Sequence, residues 1–112
     1  MSFMVIRLMV SGVYAFDYSS TQSTLSNRRL IHVPDTHVAD GLKVSETGYI
    51  FTATGSSIDV VRPDDGVLVG KIVTDDDIIY NFVAVPGGEW WFTGRNSIWR
   101  ARIAEQGIVN YG

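Results

Sequence analysis

The chain contains no cysteine. Disulfide bridges, thiolate metal sites and a cysteine nucleophile are thereby excluded, while the compartment stays unassigned, because secreted and cytosolic proteins alike can lack cysteine. No lysine or arginine run occurs, and the formal net charge is −3 with a pI near 5.1. A nucleic-acid partner is not expected without a basic footprint, nor is a membrane partner without a polybasic or amphipathic signature. Long apolar runs are missing too. Met1 to Gly12 reads MSFMVIRLMVSG, is interrupted by Arg7, and is too short to span a bilayer. No positive charge precedes it and no clear small-residue cleavage site follows, so it reads as a β-strand or a ragged start. The sequence carries no N-x-[ST] sequon and almost no helical periodicity.

What is present suits one domain with a real core. The 112 residues are 46% hydrophobic, with a mean hydropathy of +0.11. Short β-rich runs alternate with turn residues, which predicts an all-β fold. The spacing predicts strands over Val13 to Tyr18 and Arg29 to Val33, joined by a polar loop from Ser19 to Asn27. Further strands are predicted over Asp40 to Val44, Tyr49 to Thr54, Ser57 to Arg62 and Val67 to Val73. Their turns are Ser45-Glu46-Thr47-Gly48, Gly55-Ser56 and Pro63-Asp64-Asp65-Gly66. In the last of these, Pro fixes φ and Gly supplies a positive φ. Tyr80 to Val85, Glu89 to Thr93 and Ser97 to Ile103 complete the set.

One segment recurs. Asp40 to Arg62 reads DGLKVSETGYIFTATGSSIDVVR, and Asn81 to Arg102 reads NFVAVPGGEWWFTGRNSIWRAR. With one residue of slack in the first turn, Tyr49 falls on Glu89, Phe51 on Trp91, Ser57 on Ser97 and Ile58 on Ile98. Val13 joins the same column as Ile58 and Ile98. A repeat of this period made of short strands marks a stacked β architecture, in particular a propeller. The expected fold is a partial β-propeller of about two to three four-stranded antiparallel blades. The repeat also sets Asp40 and Asn81 at equivalent points, the start of the first strand of each unit.

The pieces GVYAFDY, LSNRRLIHV, ADGLKVSETGYIFTAT, IDVVRPDDGVLVGKI and NFVAVPGGEWWFTGRNSIWRARI, in this order, resemble the C-terminal part of the SMP-30/gluconolactonase/LRE-like family. The resemblance covers roughly Gly12 to Ile103. It implies a six-bladed propeller, which at about 45 residues a blade needs roughly 270 residues, so the chain reads as a C-terminal portion of that fold. Residues 13–112 are assigned to the partial propeller, and residues 1–12 to an N-terminal segment of uncertain origin.

The resemblance also implies a chemistry. The family holds one divalent metal (calcium, zinc, magnesium or manganese) in its central channel, through a Glu from the first blade, an Asn near the middle and the Asp of a P-D-G motif. Its lactonases use the metal to polarise a lactone carbonyl while a nearby carboxylate activates water. Only the Asp has a counterpart here, Asp40, within Ala39-Asp40-Gly41-Leu42-Lys43-Val44, with Ala39 where the family has Pro. Asp40 is therefore the expected metal ligand and candidate base. Read locally, an Asp before Gly at a strand start also serves as a turn residue. One carboxylate makes no tight divalent site, so this chain by itself is expected to hold no metal tightly and to be inactive on the family's lactone substrate. The alternatives are a vestigial or truncated propeller serving as a non-catalytic interaction module, and a strictosidine-synthase-like propeller. Open strand edges would allow self-association.

Other residues invite chemical readings. Asn81 could face the channel or satisfy the backbone at its strand start. His37, on the connection before Asp40, could reach the channel mouth. His32 is expected at an exposed position on an outer strand. Asp75-Asp76-Asp77 lacks the spacing of a calcium loop and is expected to be a solvated connection. Trp90, Trp91 and Trp99 are expected to pack between blades, with Trp90 and Trp91 on opposite faces of one strand.

Overall fold

Alternating side chains and tight turns build ten strands among the described residues of the computed structural model. These residues are 2–7, 12–34 and 41–103, the first group as backbone only. The strands are β1 (Ser2–Arg7), β2 (Gly12–Ser19), β3 (Thr24–His32), β4 (Leu42–Val44), β5 (Ile50–Ala53), β6 (Ser57–Val61), β7 (Leu68–Val73), β8 (Ile79–Val85), β9 (Glu89–Gly94) and β10 (Ile98–Arg102). They form three sheets in chain order: β1-β2-β3, then β4-β5-β6-β7, then β8-β9-β10. Every pairing is antiparallel. These are the successive up-and-down sheets of a partial propeller.

The turns follow from their residues. Gly48 closes the β4–β5 turn with φ 98°, and its N–H donates to the Ser45 carbonyl at 3.0 Å. The β6–β7 turn is held by Arg62 and Asp65. The guanidinium donates to both carboxylate oxygens, at 3.0 Å from Nε to Oδ1 and 2.8 Å from Nη2 to Oδ2. That pairing holds the Asp65 carboxyl below the usual range, the Arg62 hydrogen bond being the largest cause. Gly66 takes φ 72° there, the left-handed conformation that glycine adopts without steric cost.

In the first sheet the N-terminal segment takes the strand form of its two readings, and the expected loop is corrected. The apolar N-terminal segment supplies a third strand, β1, whose Ser2 to Arg7 pair with Asp17 to Gly12 of β2. The loop expected from Ser19 to Asn27 shrinks to a turn at 20–23, and β3 begins at Thr24. The polar residues there are one exposed end of a hairpin, and polarity alone does not separate an exposed strand from a loop.

The sheets stack through alternate side chains. From the middle sheet, Phe51, Ala53 and Ile58 face Phe82, Ala84, Trp90 and Phe92 of the last sheet, all buried. The opposite face of the middle sheet carries Ile50 and Val61, which enclose Val13 of the first sheet, with Ile31 and Leu42 beside them. Burial of a side chain of this size contributes about 1.5–3 kcal/mol. Trp90 stacks on Phe51 at 4.3 Å between centroids with planes 13° apart, the inter-blade packing the sequence predicts. Trp91, on the other face of β9, is 39% exposed.

Candidate functional site

The first strands of the middle and last sheets, β4 and β8, lie against each other. Glycine makes the approach close. A Cβ placed on Gly41 would stand 2.7 Å from Asn81 Oδ1 and 3.3 Å from Asn81 Cα. Gly41 is itself fixed by its carbonyl, which accepts the Ala53 N–H at 2.9 Å. The residue that follows Asp40 therefore touches Asn81, and the two strand starts paired by the repeat are spatial neighbours. Asp40 and His37 themselves lie outside the described residues.

Asn81 is exposed and sits at a shift in the β8–β9 register. Its Oδ1 accepts the Phe82 N–H at 2.9 Å, and its carbonyl accepts the Thr93 hydroxyl at 3.1 Å. An amide oxygen has two acceptor positions, so this bond leaves Asn81 Oδ1 with capacity for a further donor or a hard cation. Among the described residues no three His, Asp or Glu side chains converge on one point. The donor type fits a hard cation.

Two polar clusters were not legible as such in the sequence. His32 is not an exposed surface residue. Its Nε2 lies 2.8 Å from Asp59 Oδ2, with the imidazole 10% and the carboxylate 1% exposed. Lys71 Nζ stands 3.2 Å from Asp59 Oδ1. The carboxylate thus ties β3 of the first sheet to β6 and β7 of the middle one. His32 faces inward because it pairs with Val13 across β2–β3, on the side that packs on the middle sheet. An Asp set among apolar residues in Ser57-Ile58-Asp59-Val60-Val61 was the available signal.

Asp77 is the second correction. Asp75 and Asp76 are exposed at positive φ, 45° and 65°, as a solvated turn should be. Asp77 instead is buried. Its carboxylate accepts Trp99 Nε1–H at 2.8 Å, the Asn96 N–H at 2.9 Å and the Ser97 N–H at 3.1 Å. The Trp99 bond is the largest cause holding this carboxyl below its usual range, and the backbone donors add to it against the cost of burial. Asp77 anchors the β9–β10 turn to the β7–β8 connection. No nucleophile stands at the His32–Asp59 pair or at Asp77 in the described hydrogen bonds, and both clusters are clasps between elements.

Residues 6–90 match the family described as SMP-30/Gluconolactonase/LRE-like region. Lactonohydrolase oryH of Aspergillus oryzae is 38% identical over 98 residues, covering 81% of this chain and 19% of that protein. Lactonohydrolase oryL of the same organism is 29% identical over 96 residues, covering 85% of this chain and 22% of that protein. The chain thus spans about a fifth of the length of these curated relatives. A solved luciferin-regenerating enzyme superposes with a TM-score of 0.84 at 18% identity, over 96% of this chain and 43% of that one. That likeness establishes the fold.

Proposed function

We propose a function from the premise that the chain belongs to the SMP-30/gluconolactonase/LRE-like family. It is part of a lactone hydrolase, acting on a sugar lactone or a related one through a divalent cation. The observation that carries this reading is the 38% identity to a lactonohydrolase over most of this chain. Asp40 would hold the cation, with Asn81 beside it as a second oxygen donor, and Asp40 is the candidate base. The contact between Gly41 and Asn81 supports the pairing of those two positions. When bound, a cation of this kind polarises a lactone carbonyl and stabilises the charge that grows on its oxygen. This chain's share would be to hold an oxygen donor at the start of an inner strand and to keep that strand rigid through the packing of β4 on β8.

A divalent cation takes six or more oxygen ligands when it is calcium, and one carboxylate with one amide do not supply them. The chain alone is therefore proposed to be inactive. The test is a chimera in which this chain replaces the matching segment of lactonohydrolase oryH, assayed for lactone hydrolysis. Activity that survives the exchange and disappears on Asp40→Asn supports the reading. A folded chimera whose activity is indifferent to Asp40→Asn refutes the assignment of Asp40. Turnover of a simple aldonolactone by the isolated monomer refutes the proposed inactivity.

A further inference from the structure

The start of β8 holds two adjacent exposed residues where a strand in regular alternation would hold one. Ile79 and Phe82 are both buried against the middle sheet, with Tyr80 and Asn81 exposed between them. The register gives the reason. Ile79 faces Gly94 and Asn81 faces Thr93, so Tyr80 is an extra residue with no opposite number on β9. A bulge of this kind re-aims a side chain and recurs next to functional sites. Tyr80 is 46% exposed.

The re-aimed phenol meets an arginine. Arg95, in the β9–β10 turn, donates from Nε to Tyr80 Oη at 3.4 Å. Its backbone N–H donates to the Ile78 carbonyl at 2.9 Å, which sets the turn against the start of β8. The Arg95 side chain is not needed to hold that turn, since the Asp77 carboxylate already binds the Asn96 and Ser97 N–H groups. A bond this long between exposed groups contributes little to stability. It does orient the two groups. The phenol oxygen accepts, so its O–H is left to donate, as are the Nη groups of the guanidinium. Tyr80 stands beside Asn81 at the approach of Gly41: the Cβ that would lie 2.7 Å from Asn81 Oδ1 would also lie 3.2 Å from the Tyr80 carbonyl oxygen. Arg95 sits in a turn at the end of the sheet, past Gly94, and not on the faces through which sheets stack.

We propose that Tyr80 and Arg95 are a specificity pair of the proposed lactone hydrolase, and that its substrate carries a carboxylate besides the lactone ring. The ring rests on that reading, and the pair adds the second group. The guanidinium fork matches the two oxygens of a carboxylate, and its charge persists at any working pH. The Tyr80 O–H supplies a further donor beside the fork. One guanidinium balances the single charge of a carboxylate, where a phosphate carries about two. The pair binds and orients, and takes no part in the bond-breaking step.

The test uses the chimera with lactonohydrolase oryH and two sugar lactams, one bearing a carboxylate and the other its methyl ester. A lactam keeps the ring and the carbonyl but resists hydrolysis, so titration calorimetry reads binding without turnover. The acid should bind about tenfold to a hundredfold more tightly than the ester, the scale of a charge-assisted hydrogen bond. Arg95→Gln should abolish that preference, and Tyr80→Phe should weaken it. Equal binding of acid and ester by the unaltered chimera overturns the proposal, and so does a preference that survives Arg95→Gln. A preference untouched by Tyr80→Phe removes Tyr80 from the pair. The two readings fail separately. Lactone hydrolysis that requires Asp40 while acid and ester bind alike removes only the specificity pair. A preference that requires Arg95, in a chimera whose hydrolysis ignores Asp40→Asn, removes only the assignment of Asp40.

Discussion

Phe51 and Trp90 lie face to face, 4.3 Å apart and 13° from parallel, each fully buried and each from a different sheet. Both rings are among the largest fully buried side chains of the cluster that joins the middle and last sheets. Phe82 flanks the tryptophan at 6.0 Å. Trp90→Ala should cost about 3–5 kcal/mol, the range for deleting a large buried aromatic. Trp90→Phe keeps a ring in the stack and should cost clearly less. Chemical denaturation of both variants measures this, and equal losses would contradict a role for the stacking itself.

The clasp between the first and middle sheets should show an ordering. Removing His32 leaves the Asp59 carboxylate buried and short of a donor, whereas Lys71 is about a third exposed and its ammonium competes with water. His32→Ala should cost about 2 kcal/mol, as for a lost hydrogen bond to a charged group. Lys71→Ala should cost about 1 kcal/mol or less, nearer to a surface pair. Urea unfolding midpoints decide this, and a reversed order would show that the lysine is the principal partner of Asp59.

Asp77 makes stability depend on pH. Its folded-state carboxyl titrates below its ordinary value, mainly through the Trp99 hydrogen bond. The unfolded chain therefore binds the proton more readily, and stability from this group rises with pH. It is fully present above the ordinary value of about 3.9 and is lost as pH falls through the lowered folded value. Asp77→Asn replaces one acceptor oxygen by a donor that faces N–H groups. The melting temperature of the variant should lie below wild type at neutral pH, and the gap should narrow on acidification through that window. A gap independent of pH would exclude the carboxylate charge as its source.

Thr52 is fully buried, and among the described residues its hydroxyl oxygen has no hydrogen-bond partner. A hydroxyl buried without a partner costs about 1–3 kcal/mol. Thr52→Val keeps the branched shape and removes the hydroxyl, so thermal unfolding should move upward. A lowered melting temperature would mean that the hydroxyl is in fact hydrogen-bonded in solution.

The repeat, the turn residues and the alternation of side chains determined the fold class and nine of the strands by themselves, because those signals are local: Gly48 and Gly66 take the positive φ their turns need, and Trp90 and Trp91 fall on opposite faces of β9. They also put Asp40 and Asn81 at equivalent points of the repeat, and of the described residues Gly41 comes close to Asn81. Tertiary structure alone decided that His32 turns inward to Asp59, that Asp77 leaves the solvated turn of Asp75 and Asp76 to hold Trp99, and that β1 pairs with β2. The first two depend on a partner more than 20 residues away. A polar side chain carries no mark in the sequence of whether the donor that would justify its burial will be there, since that donor is supplied by another strand's register.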